Sequence, residues 1–221
     1  MGYTRKGDFV GYDFEKIIGA VQELESEKRF RHTLGVQKEA CELGKIFMPQ
    51  MVEKLGLAGL LHDITKDFSF EKQLELCKDF GIVLDNECIV PKLLHAKTGC
   101  ELAKRLFGED VVDDEVYSGI FYHTTGRKGM TLFESIIYLA DYIEEGRTFS
   151  DCIELRNFFY DNVKKANDYS DKLEVLRKTM VYSFDLTICN LIDEGKLIDQ
   201  DTVNARNYFL LNKNVFNMTE E

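Results

Sequence analysis

The chain reads as one all-α domain, and three observations carry that reading. Apolar residues recur at steps of three and four along most of its 221 residues. Only two prolines occur, Pro49 and Pro91, and each falls between periodic segments. No alternating segment of useful length competes as a strand. The helical domain is expected over residues 13–195. An N-terminal extension over 1–12 and the polar end from 213 to 221 are expected to be loose. Residues 196–221 read as a last helix and tail packed on the domain or extending it.

Ile17, Ile18, Val21 and Leu24 stripe the first helix. In the second, His32, Val36, Ala40, Leu43 and Phe47 share a face, which places His32 on the buried side. Leu57, Leu60, Leu61 and Ile64 mark a strongly apolar helix that carries His62 and Asp63 near its carboxyl end. Ser69 caps FEKQLELCKDF and Gly81 stops it. A loop leads to Pro91, and a helix follows from about Leu93 to Phe107, before Gly108. Val112, Val116 and Ile120 lead the next helix to His123. TTGRKGM is a glycine-marked loop, and Thr131 with Glu134 forms a capping box for the helix bearing Ile137 and Asp141. Helices are then expected over about 151–164, from Ser170 as N-cap to Gly195, and over about 200–211.

Composition narrows the function. A net charge of −11 argues against a nucleic-acid partner, which would meet a basic face. It leaves room for a small polyanion, because a few cations and bound metal can reverse the potential of one cleft. No apolar run approaches the roughly 20 residues of a membrane helix, and the N-terminal residues lack a secretory h-region, so a cytoplasmic protein off the membrane is expected. The six cysteines form no C-x-x-C pair and read as reduced thiols. Oligomeric state is left open, a homodimer being one option.

All four histidines, His32, His62, His95 and His123, stand in metal-compatible surroundings. His62 is followed by Asp63, and Asp141 adds a second carboxylate on an apolar helix face. A lone histidine on such a face is more often a satisfied core residue, and a lone aspartate a solvated one. Six together change the balance. Four ligands hold one ion, whereas six hold two and leave positions for water and substrate. Imidazole with carboxylate suits iron, manganese or another first-row ion better than calcium. Two ions about 3.5–4 Å apart can clamp both the attacking and leaving oxygens of a phosphoryl transfer. Lys66, one turn after His62, and Arg127 in the glycine loop read as phosphate contacts, with Thr124, Thr125, Gly126 and Arg147 beside them.

These residues resemble the HD-domain superfamily of metal-dependent phosphohydrolases, whose pattern is H…HD…D. The two further histidines match its dinuclear branch, H…HD…H…H…D. More narrowly, RFRHTLGV, LLHDITKD, LLHAKTG and YHTTGRKGMTLFESIIYLADYIEEGRTF resemble successive motifs of the bacterial YqeK family, over about residues 14–195. The resemblance implies a single HD-type helical bundle with a di-iron centre among its central helices. It implies symmetrical cleavage of diadenosine tetraphosphate to two ADP by a metal-bound hydroxide. His32, His62, Asp63, His95, His123 and Asp141 would be ligands, Asp63 bridging, while Lys66, Thr125, Arg127 and Arg147 would line the nucleotide site. Thr125 replaces a common serine and Lys128 a common proline. Residues past about 195 match nothing shared. The rivals are an HD nucleotidase, nucleoside triphosphohydrolase or cyclic-nucleotide phosphodiesterase, a non-catalytic nucleotide-binding module, and, last, a di-iron oxygenase.

Overall fold

The computed structural model describes residues 11–84 and 90–216. Its helices are α1 (Phe14–Leu24), α2 (Glu27–Phe47), α3 (Val52–Leu61), α4 (Phe70–Asp79), α5 (Leu94–Phe107), α6 (Asp114–Tyr122), α7 (Leu132–Ile143), α8 (Ser150–Val163), α9 (Tyr169–Asp193) and α10 (Gln200–Leu211). Short 3-10 turns at Pro49–Met51 and Pro91–Leu93 stand where the two prolines were read as boundaries. The described residues contain no strand, and no helix among them is long and apolar enough to cross a membrane.

Seven helix starts carry a side-chain cap, from Asp13, Ser26, Ser69, Asp113, Thr131, Asp168 and Asp199. Each satisfies a backbone N–H that the first turn leaves without a partner. The Thr131–Glu134 capping box forms as read. Ser170 does not cap α9. The Asp168 carboxylate accepts from Asp171 N at 2.8 Å, the helix begins at Tyr169, and Ser170 lies inside the first turn.

α3 is the axis of the bundle. Every residue from Leu55 to Leu61 is buried, because α1, α2, α5, α6 and α7 all pack against it. A helix apolar on all sides has no solvent face to present. α2 comes closest to it, over glycines. A Cβ on Gly59 would lie 3.1 Å from the Gln37 Cα, and one on Gly56 would lie 2.7 Å from the Cys41 sulfur. This close approach brings His32, on α2, towards His62, at the end of α3.

The C-terminal stretch that matched nothing in the sequence reading docks on α9. Arg177 Nη1 donates to Phe209 O at 2.7 Å, Arg206 Nε to Asp185 Oδ1 at 2.8 Å, and the Phe184 and Phe209 rings stack at 6.1 Å. Val215 and Phe216 also pack on the core, with the Phe216 ring 5.7 Å from that of Phe209. Val215 and Phe216 are therefore anchored rather than loose, because the polar residues around them conceal two apolar anchors. The looseness expected of residues 1–10 and 217–221 concerns segments outside the described residues. The five described cysteines are free thiols.

Between α1 and α2, Glu25 is buried and its Oε1 accepts from Thr33 Oγ1 at 3.0 Å. Its Oε2 has no partner. Burial pushes this carboxyl from 4.5 up to about 7, against the Thr33 hydrogen bond and nearby His62. The folded state therefore favours the protonated acid. That stability is full below the unfolded value and is lost as pH rises through about 7. Glu25→Gln should raise Tm at pH 8.5, worth up to about 3 kcal/mol, and change little near pH 4.5. Thermal melts of both proteins across that range provide the check.

Candidate metal centre

The side chains of the centre arrive from helix ends and helix faces around α3. α2 carries His32 on its inner side. α3 closes at Leu61, so His62 and Asp63 project from the turn that follows. α5 brings His95 in its first turn, α6 ends just before His123, and α7 carries Asp141. The structure thus brings all six expected ligands into one space.

Their hydrogen bonds fix which atoms face that space. Nδ1 lies 2.7 Å from Gly59 O in His62, 2.8 Å from Lys92 O in His95 and 2.6 Å from Ile120 O in His123. A carbonyl can only accept, so each of these Nδ1 atoms carries a hydrogen and Nε2 is the nitrogen that faces the centre, with a lone pair whenever the ring is neutral. His32 Nδ1 meets Glu144 Oε1 at 3.0 Å, which fixes the same tautomer. All four Nε2 atoms converge on the two aspartates.

Asp63 divides this set in two. Its Oδ2 lies 3.4 Å from His62 Nε2 and 3.8 Å from His32 Nε2, and these two nitrogens also lie 3.7 and 3.0 Å from Asp141 Oδ1. Its Oδ1 lies 3.1 Å from His95 Nε2 and 3.4 Å from His123 Nε2. Donor atoms of His32, His62 and Asp141 lie within 4.8 Å of one another, as do those of His62, Asp63 and His123.

The donors fit metal rather than one another. His95 Nε2 and His123 Nε2 stand 3.0 Å apart, close enough to share one ion, with Lys66 Nζ and the Thr124 hydroxyl beside them. His32 Nε2, His62 Nε2 and Asp63 Oδ1 are buried without a hydrogen-bond partner. Burial disfavours charge on His62, yet Asp63 and Asp141 together draw its value up to about 10. Both aspartates are held well below the usual carboxylate range despite their own burial, Asp63 by His62 and its histidine neighbours and Asp141 by Arg147, His32 and His62. The anionic cage calls for positive charge. Bound divalent ions supply it without burying extra protons.

The expected phosphate contacts separate into two groups. Lys66 Nζ lies 3.1 Å from His95 Nε2, and burial lowers its basicity. Thr124 Oγ1 lies 2.9 Å from His123 Nε2, and Arg147 Nη2 bonds Asp141 Oδ1 at 2.5 Å. These three stand at the centre. Thr125 turns its hydroxyl to Gly126 O. Gly126, at φ 64°, backs onto the core, where a Cβ would lie 2.7 Å from Phe184 and 2.9 Å from the Met130 sulfur. Arg127 stacks on Tyr122 and binds buried Glu134 through Nε and Nη2, at 3.1 and 3.0 Å. Its fork is thus occupied by a carboxylate, so the arginine and its glycine shape the loop instead of extending towards the centre.

A cavity of about 810 Å³ opens beside His32, Asp63 and Lys66, with Arg29, Arg147 and Phe149 on its walls. A second, of about 520 Å³, is lined by Lys66, Thr124, Pro91, Leu93, Leu191 and Leu197. A family model described as HD domain matches residues 29–146, which span every one of the six donors.

The chain belongs to the HD domain family.

Comparison with individual proteins narrows this HD assignment. The chain is 33% identical to the symmetrical bis(5'-nucleosyl)-tetraphosphatase of Bacillus subtilis (strain 168), over 76% of this chain and 86% of that protein. It is 29% identical to the Staphylococcus aureus protein of the same name, over 89% and 94%. A crystal structure from Clostridium acetobutylicum, described as an HD superfamily hydrolase involved in NAD metabolism, is 38% identical, with a TM-score of 0.77 over 90% of this chain and 98% of that one. The all-helical fold and the family read from the sequence both hold.

Two charged residues of the HD site escaped the sequence reading. Arg29 Nη1 donates to Asp63 Oδ2 at 2.8 Å. Its place one turn before His32 was the available signal. Glu144, three residues after Asp141, stands next to exposed Glu145 just past the end of α7. It is buried instead, held by Gly146 N at 2.6 Å and by His32. Space for it exists because residue 35 is glycine, where a Cβ would overlap Glu144 Oε2. A carboxylate behind a ligating imidazole typically supports metal affinity by 10–100-fold. Glu144→Gln should lower metal affinity by about that factor while the fold persists, as read by metal titration and circular dichroism. Gly35→Ala should reproduce the loss.

Proposed function

We propose that the chain hydrolyses diadenosine tetraphosphate symmetrically to two ADP at a pair of first-row metal ions, with iron resident. The observation that carries this reading is the divided coordination of Asp63, whose two oxygens face two separate donor sets. Such a carboxylate suits a bridge between two ions, and a mixed imidazole and carboxylate cage suits iron or manganese. Two relatives are named as symmetrical bis(5'-nucleosyl)-tetraphosphatases, which favours a dinucleoside tetraphosphate over the mononucleotides and cyclic nucleotides weighed above.

Bound in that cage, two ions acidify water and neutralise charge developing on phosphoryl oxygens. The protein supplies the rest by position. His32, His62, His95 and His123 need no reorientation, because their Nδ1 hydrogen bonds already aim Nε2 inward. Lys66 places its half-buried amine between the cavities, and Arg147, held charged by Asp141, provides a positive charge beside it. Thr124 offers a hydroxyl beside them. Arg127 acts through the loop, holding Thr124 and Thr125 in place by its tie to Glu134.

In the reaction, water brings the entering oxygen. A bond forms from it to an inner phosphorus as the central P–O bridge breaks. The bridging oxygen leaves with the electron pair as part of ADP, and the water's proton passes to solvent. ADP is a good leaving group, so no protein acid is required. None of the five described cysteines is a candidate nucleophile, since no spare histidine stands beside one as base.

Metal analysis of the purified protein, followed by chromatography of products, tests this. ADP as the sole product supports it, and AMP with ATP contradicts symmetrical cleavage. Asp63→Ala should lose both metal and at least about a thousandfold in turnover, since removing the bridge disables both ions. Full activity in that variant would overturn the mechanism.

A further inference from the structure

The two cavities beside the centre share one wall residue, Lys66. The larger lies on the His32 and Asp63 side, and the smaller lies on the Thr124 side, where His95 and His123 stand. Each falls in the roughly 300–1,000 Å³ range of small-molecule sites. Each also presents an apolar side chain to water at its edge. Phe149 is 70% exposed on the larger cavity, and Leu197 is 60% exposed on the smaller.

Neither residue is explained by the core. Phe149 ends the link between α7 and α8, and only its backbone serves the start of α8. Leu197 sits in the turn joining α9 to α10, part of the stretch that had no role in the sequence reading. Both cavities also carry cations besides Lys66. Lys28, Arg29, Arg31 and Arg147 line the first, beside acidic Asp67 and Glu144, and Lys92 and Lys196 line the second, beside Asp199. An apolar surface together with cations on the same cavity wall is the complement of a nucleoside bearing phosphates.

We infer that the substrate lies across the centre in two arms. One nucleoside diphosphate half occupies the cavity under Phe149 and the other the cavity under Leu197, with the central bridge beside Lys66. This deepens the function proposed above and rests on it. It also accounts for a symmetrical cut. Two comparable pockets on either side of one reactive point place the midpoint of a tetraphosphate there, whereas a single pocket would have to measure the chain from one end. Phe149 offers a flat face on which a base can stack, and the α9–α10 turn closes the other arm.

The test uses the metal-loaded full chain with Phe149→Ala, Leu197→Ala and the double variant. Both side chains are exposed, so the fold should persist, and circular dichroism confirms it. Base stacking on an aromatic side chain such as Phe149 is sequence-tolerant and worth on the order of tenfold per base in affinity, and apolar contact with a side chain the size of Leu197 is worth about as much. Each single variant should raise KM for diadenosine tetraphosphate about tenfold with kcat within about twofold, and the double variant should multiply the two effects. Phe149→Tyr should keep the wild-type KM. Equilibrium dialysis with ADP should find two ADP per wild-type chain and one at the same concentration in each single variant. An unchanged KM in either single alanine variant, or one ADP per wild-type chain, overturns the inference. The dialysis does not depend on turnover. Two ADP bound without cleavage of the tetraphosphate would sink the proposed function while leaving the two arms in place.

Discussion

The Asp63 carboxylate organises the centre because its two oxygens serve different neighbours. One faces His32, His62 and Arg29, and the other faces His95 and His123. A side chain at this point must leave a helix at an angle that no mid-helix residue reaches, since neighbouring residues on a helix point about 100° apart. The end of α3 at Leu61 resolves this. The turn over His62–Asp67, with Lys66 N bonded to Asp63 O at 2.8 Å, redirects the carboxylate while His62 still belongs to the axis of the bundle.

That turn is held by buried polar bonds rather than by packing alone. Thr65 Oγ1 donates to His95 O at 3.0 Å, and Gln73 Nε2 donates to Thr65 O at 2.5 Å. Thr98 joins the same set, bonding both Thr65 and Gln73. One network therefore links the HD turn to α4 and to the helix that carries His95. Buried polar groups must be satisfied together or they destabilise. Two donor sets on separate helices are thus fixed relative to each other before any ion binds, and little of the binding free energy needs to be spent on ordering them.

Much of this was legible from residue spacing. Among the described residues, periodicity and caps located the ten helices, the two prolines marked the 3-10 turns, and the ligand spacing gave six donors on five helices. What escaped is of one kind. The sequence shows which residue carries a charge but not which residue answers it. Arg127 looked like a phosphate ligand because it lies in a glycine loop, yet Glu134, read only as half of a capping box, takes its fork. Nothing in the spacing singles out Glu144, because the missing side chain at position 35, more than a hundred residues earlier, makes its pocket. The same limit hid the α9–α10 turn. Its residues resemble nothing diagnostic, and their importance comes from the cavity edge they reach.

Charge partnering also explains how a chain of net charge −11 can attract a polyanion. The excess acid is dispersed over a large exposed surface, where solvent and salt screen it within about 10 Å. Around the centre the balance reverses locally. Arg29 is bonded to Asp63 and Arg147 to Asp141, so each aspartate of the donor cluster is also paired with an arginine at the cavity wall. Both guanidinium groups also line the larger cavity and are part-exposed there, so each can face an anion in that cavity as well as the aspartate behind it.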